Sequence, residues 1–98
     1  MDKLLTETAD RAARYLAGLA DRNVAPLPEH VAALTALGGP LPQGPADPAE
    51  VLALLDDVGS PATVATAGGR YFGFVIGGTL PAALAANWLV DRLPCNEL

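Results

Sequence analysis

No charged residue stands between Arg70 and Asp91. This run, residues 71–90, follows Gly68-Gly69-Arg70 and contains both phenylalanines, Tyr71, the sole tryptophan Trp88, and the glycines Gly73, Gly77 and Gly78. A segment so apolar must be shielded from water, by its own chain, by a partner or by lipid. Its glycines and Pro81 forbid one unbroken helix through it. Ninety-eight residues allow one small domain, and small domains keep much of their surface in water. This stretch is therefore where recognition is expected.

The chain is 51% hydrophobic, with a mean hydropathy of +0.31. Much of that is alanine, which adds little burial per residue. Two readings follow: a piece of something larger, or an apolar face that meets a partner or a membrane. The net charge of −5 and six dispersed basic residues argue against nucleic-acid binding and against a basic membrane-surface helix. The one cysteine, Cys95, cannot form an internal disulfide. Thr6-Glu7-Thr8 and Asp10 stand where a signal peptide needs an apolar core, so the expected location is the cytoplasm.

The periodicity predicts an all-α chain of about four helices. Leu5, Ala9, Ala12, Leu16 and Leu19 recur at spacings of four and three over residues 3–22. Glu7–Arg11 and Asp10–Arg14 are acid-before-base pairs four apart. Asn23 can close that helix in a left-handed conformation. A short helix is expected over 28–37, edged by Val31, Leu34 and Leu37 and stopped at Gly38-Gly39-Pro40. Asp47-Pro48-Ala49-Glu50 reads as N-cap, first helical residue and capping box. That helix buries Val51, Leu52, Leu54, Leu55 and Val58, ends at Gly59, and cannot resume past Pro61. Residues 71–76 read as an extended aromatic loop. Thr79 caps a last helix running to about Leu93.

Few residues carry catalytic chemistry. His30 has no second histidine or cysteine at metal-ligand spacing and reads as an exposed helix residue. Cys95 has no base nearby in sequence. Asp56 and Asp57 are adjacent, so a helix would point them about 100° apart and leave them as a solvated helix end. The glycines fit neither dinucleotide nor phosphate-loop spacing, although Gly77-Gly78-Thr79 before a helix could offer backbone N–H groups to an anion. The uncharged run has the length of a membrane span and contains Gly73-x-x-x-Gly77. Against a span stand Gly77-Gly78, Pro81, Asn87 and the lack of a cationic cluster.

Gly69-Arg70-Tyr71-Phe72-Gly73-Phe74, followed by Pro81-Ala82-Ala83-Leu84-Ala85-Ala86-Asn87-Trp88-Leu89, resembles the N-terminal region of the pyridoxal-phosphate-dependent decarboxylases of the aromatic-L-amino-acid and glutamate type. That family commonly reads His-Pro-Arg-Phe-Phe-Gly-Phe, then a glycine-containing loop and a proline-led helix ending Ala-Asp-Trp-Leu. The helix over residues 6–22, the step Asn23-Val24-Ala25-Pro26 and the capped helix at Asp47-Pro48 follow the family's order. The resemblance covers about residues 3–89. It divides the chain into a helical arm (1–67), an aromatic loop and helix (68–89) and a divergent tail (90–98).

The resemblance implies the N-terminal arm of a larger type I transferase fold, a homodimer in which the arm wraps the neighbouring subunit. It implies a carboxy-lyase acting on an amino acid, with Tyr71, Phe72 and Phe74 as substrate-pocket or interface aromatics and no catalytic, cofactor or metal ligand in this stretch. The family's cofactor lysine, and the histidine and aspartate that hold the pyridine ring, fall far past this region, so the chain alone is expected to be inactive and to bind no pyridoxal phosphate. Gly68-Gly69 stands where the family has His-Pro, and residues 90–98 depart from its pattern, which suggests a truncated or frame-shifted product. An alternative is a small helical protein-interaction module. A single-span membrane protein is the third reading.

Overall fold

A computed structural model of the chain describes residues 1–74, 78 and 80–91. The described residues are all-α. Four α-helices run in order: α1 (Asp2–Gly18), α2 (Pro28–Ala32), α3 (Pro48–Leu54) and α4 (Pro81–Asp91). No strand occurs among the described residues.

α1 forms where the apolar spacing predicts it and tightens into a 3₁₀ turn at Leu19–Asp21. Arg22 is already extended, with φ −111° and ψ 161°. Phe74 is the one non-glycine residue at positive φ among those described, so Asn23 does not close the helix in a left-handed conformation. The closing turn is satisfied from outside by an arginine side chain, and no reversal of the backbone is needed there.

α2 starts with Pro28 in its first turn and passes into a 3₁₀ helix, Ala33–Leu37. Gly39 then takes φ +127°, a conformation that suits glycine and ends the element. Val31, Leu34 and Leu37 are exposed along it.

Asp47 caps α3 as the spacing predicts: its carboxylate accepts from the Ala49 backbone N–H at 3.4 Å, with Pro48 at the first position. Helical backbone does not stop at Gly59. It widens into a π-turn, Leu55–Gly59, and closes as a 3₁₀ turn, Ser60–Ala62, with Pro61 inside it. Proline is tolerated there because the start of a new short helix leaves its missing N–H without a required partner. Leu52 and Val58 are half-buried on this run, whereas Val51, Leu54 and Leu55 are exposed.

The first intrahelical bond of α4, Leu84 N–H to the Leu80 carbonyl at 3.0 Å, makes Leu80 the residue at the capping position. Thr79, named as the cap by the sequence, lies outside the described residues, as do Val75, Ile76 and Gly77 of the aromatic loop and the whole tail after Asp91. α4 has eleven residues, roughly 16 Å at 1.5 Å per residue, against about 30 Å for a bilayer core. Among the described residues no helix is long and apolar enough to cross a membrane.

Among the described residues only Leu19 and Ala65 are buried, at 6% and 2% exposure. They meet where the end of α1, the Val24 backbone and the turn at 65–68 converge. The Ala65 N–H donates to the Val24 carbonyl at 2.8 Å, and a Cβ on Gly68 would lie 3.7 Å from that of Leu19. The accessible surface is 7649 Å² for 10.0 kDa, where a folded monomer of that mass exposes about 5,200 Å². The radius of gyration, 15.7 Å, likewise exceeds the roughly 13 Å of a compact chain of this length.

Candidate functional site

The aromatic segment leaves the end of α1 through Gly68, Gly69 and Arg70. Its three aromatic residues do not act as one cluster. Tyr71 is half-buried because its ring folds back over Gly73: a Cβ there would collide with the Tyr71 hydroxyl oxygen. Glycine at 73 is thus the space into which the tyrosine fits. Phe72 and Phe74 project outward, 92% and 90% exposed, and Phe74 does so at φ 55°. That left-handed conformation costs a bulky side chain on the order of 1–2 kcal/mol.

An apolar cleft of about 820 Å³ lies beside this segment, between the end of α1 and α4. Leu16, Leu19, Gly68, Leu84, Trp88 and Leu89 line it. α4 is apolar on nearly every side yet only Leu84 is half-buried, an arrangement met in helices covered by further protein.

On the opposite side of α1 lies a polar cleft of about 650 Å³, lined by Arg11, Tyr15, Arg22, His30, Asp56 and Ser60 among others. Here Arg11 Nη1 donates to Asp56 Oδ2 at 2.8 Å and to Asp57 Oδ1 at 3.0 Å. The expected Glu7–Arg11 pair is replaced by this contact across the fold, no Asp10–Arg14 ion pair occurs among the described residues, and Glu7 instead stands 3.9 Å from Lys3. The two adjacent carboxylates, expected to diverge into solvent, converge because one guanidinium from α1 enters between them at the π-turn. Ser60 Oγ donates to Asp56 Oδ1 at 2.6 Å. That hydrogen bond and the Arg11 contact hold the Asp56 carboxyl below its ordinary range, and the two aspartates push the Arg11 guanidinium up. A carboxylate so stabilised in its ionised form is a poor general base.

Arg22 continues the same wall. Its guanidinium lies 5.7 Å from the Tyr15 ring centroid and donates to the carbonyls of Ser60 (3.1 Å), Pro61 (3.4 Å) and Thr63. The Tyr15 hydroxyl and Thr63 Oγ1 share a hydrogen bond of 2.8 Å. His30 is half-buried beside this cleft, not exposed as the sequence suggests. No group of three or more histidine, cysteine, aspartate or glutamate side chains converges among the described residues. Cys95 and Gly77-Thr79, the remaining candidates for chemistry, lie outside the described residues.

The residues that sequence reasoning passed over are the arginines. Arg11, Arg22 and Arg70 each satisfy carboxylates or helix-end carbonyls contributed by a distant segment. Arg22 stands just past the end of α1, where a cation is expected to serve that helix's own carbonyls, yet its guanidinium goes to those of Ser60, Pro61 and Thr63, which nothing local signals. The polar cleft therefore ties α1 to residues 56–63, and Phe72, Phe74 and the apolar cleft are left as uncovered apolar surface. No protein-family model, no curated protein and no solved structure matches this chain.

Proposed function

We propose that the chain is the N-terminal arm of a pyridoxal-phosphate-dependent amino-acid decarboxylase, contributing dimer contacts and part of a substrate-pocket wall. The observation that carries this reading is surface. The chain exposes roughly 2,400 Å² more than a folded monomer of its mass, more than the ~800 Å² per partner of an ordinary stable interface. Phe72 and Phe74 are exposed, in the segment whose Gly68 and Gly69 line the apolar cleft. Exposed aromatics on a fixed backbone are what a partner's pocket takes as anchors. A cytoplasmic location goes with this reading.

The residues present do not fit the cofactor. The lysine that forms an enzyme's cofactor imine is activated by desolvation or by a second cation. The one lysine, Lys3, lies in the first turn of α1 with its side chain 89% exposed, 3.9 Å from the Glu7 carboxylate. No step of decarboxylation is assigned to this chain, which is inactive alone. Mixed with pyridoxal phosphate and borohydride, it acquires no specific adduct; a stoichiometric adduct at Lys3 would contradict this.

The chain is tested against a purified decarboxylase of this type trimmed of its own arm. Co-elution with partial recovery of carbon dioxide release is expected. Absence of association at micromolar concentrations would sink the reading. The second reading, a small helical interaction module, has its own support: the Arg11 and Arg22 networks tie α1 to residues 56–63 without any partner. A monodisperse, cooperatively folding monomer that ignores the trimmed enzyme would favour it.

A further inference from the structure

Arg70 immediately precedes the aromatic segment, but its side chain turns back toward α1. Nη2 donates to the Leu19 carbonyl at 3.3 Å and to the Arg22 carbonyl. Leu19–Asp21 is the closing turn of the α1 run, so these acceptors belong to a helix end. Such carbonyls lack partners within the helix and carry partial negative charge, which a cation satisfies on both counts.

Three backbone relationships place the same junction. The Gly68 N–H donates to the Ala65 carbonyl at 3.2 Å, and the Tyr71 N–H donates to the Gly68 carbonyl at 3.3 Å. A side chain at Gly68 would meet the Ala65 carbonyl oxygen at 3.4 Å and the Leu19 Cβ at 3.7 Å, so the turn lies close against α1. Leu19 and Ala65, the two buried among the described residues, are the residues that a side chain at Gly68 would meet. Arg22, whose carbonyl accepts from Arg70, sends its own guanidinium the other way, to the carbonyls of Ser60, Pro61 and Thr63. Two arginines in series thus connect the end of the helical run at 60–63 to the end of α1, and the end of α1 to the root of the aromatic segment.

We infer that Arg70 is a positioning residue for Phe72 and Phe74. By fixing the root of their segment to the C-terminal end of α1 it sets the direction in which both rings are presented. The Tyr71 ring, seated over Gly73, supports the segment one step further on. Both bonds come from the one Nη2 amino group, whose N–H donors are held in the rigid plane of the guanidinium, whereas the ammonium of lysine ends a flexible stem. The role of the rings as pocket wall rests on the decarboxylase reading; the anchoring does not.

The test is amide hydrogen exchange on the full chain and on Arg70→Ala and Arg70→Lys. In Arg70→Ala the Gly68 and Tyr71 amides should exchange about tenfold faster or more, since charge-assisted bonds hold their turn closed. The Val51 amide, bonded to the Asp47 carbonyl 3.1 Å away in a different element, should keep its rate. Phe72 and Phe74 backbone shifts should move in both variants, and Arg70→Lys should fall between wild type and alanine. Unchanged Gly68 and Tyr71 exchange in Arg70→Ala overturns the inference. So does an equal acceleration at Val51, which would make Arg70 a general stabiliser. Should Arg70→Ala not fold, the same comparison in Arg70→Lys decides. No enzyme takes part in this measurement, so its result stands apart from the fate of the decarboxylase reading.

Discussion

Arg11 and Asp56, 45 residues apart in sequence, meet with Nη1 2.8 Å from Oδ2. They fasten the middle of α1 to the π-turn that follows α3. Because the Ser60 hydroxyl and Arg11 hold the Asp56 carboxyl below its ordinary value of 3.8, the ionised form is favoured by folding. The sign follows from linkage: the contribution is complete above that ordinary value and is lost as the pH falls through the lower folded one. Arg11, pushed up, stays charged throughout. The thermal midpoint of the chain should therefore decline on acidification below about pH 4, and Asp56→Asn should flatten that decline. Equal acid limbs for both proteins, followed by circular dichroism, would refute the assignment.

Tyr15 offers two interactions that substitution can separate. Tyr15→Phe removes the hydroxyl bond to Thr63 but leaves the ring beneath Arg22. It should cost about 0.5–1 kcal/mol, the low end for an exposed hydrogen bond. Tyr15→Leu removes the ring as well and should cost more. Urea midpoints compare the two, and identical midpoints would show that the ring contributes nothing to holding Arg22.

Leu19 is one of two buried residues among those described, so its truncation strikes the centre of the packing. Leu19→Ala should lose about 2–3 kcal/mol. In a chain with so small a core that is enough to abolish a cooperative transition. A variant that retains a sharp thermal transition within a few degrees of wild type would show that the packing lies elsewhere.

Gly73→Ala tests the tyrosine seat. The added methyl occupies the place of the Tyr71 hydroxyl, so the ring must swing out while the helices remain. Near-ultraviolet dichroism should change with little alteration in the far-ultraviolet. Retention of the wild-type near-ultraviolet signal would contradict the fold-back.

Phe72 and Phe74 should matter to partners far more than to folding. Phe72→Ala should change stability by less than about 0.5 kcal/mol, as expected of an exposed position. Phe74→Gly relieves a positive φ and should not destabilise. The double substitution Phe72→Ala, Phe74→Ala should abolish binding to the trimmed decarboxylase, read by analytical size exclusion. Undiminished binding would remove the two rings from the interface.

Much of the helical layout was legible because it depends on local chemistry. Asp47 with Pro48, Pro28, and the apolar spacing from Leu5 to Leu19 act within one or two turns, and each marks its element in the structure. What was not legible depends on distant partners. Asn23 looked like a helix terminator because the Arg70 side chain that satisfies the end of α1 stands some fifty positions later. Gly59 and Pro61 looked like a stop because propensity alone does not foresee a run held by Arg22 from outside. Glu7–Arg11 looked like a pair because the competing carboxylates, Asp56 and Asp57, become neighbours only after folding. At the aromatic segment the sequence singled out Tyr71, Phe72 and Phe74 together, and only the fit of one ring over Gly73 separates Tyr71 from the outward-facing pair.

The π-turn at Leu55–Gly59 closes bonds over five residues where an α-turn closes them over four. It accommodates one surplus residue and so resets the angular phase between the start of the run and its end. Deleting a single position there would let the run continue as ordinary helix and rotate everything after it by about 100°. The carbonyls at 60–63 would leave the reach of Arg22. A change of length in these five positions would therefore do more damage than most changes of residue type.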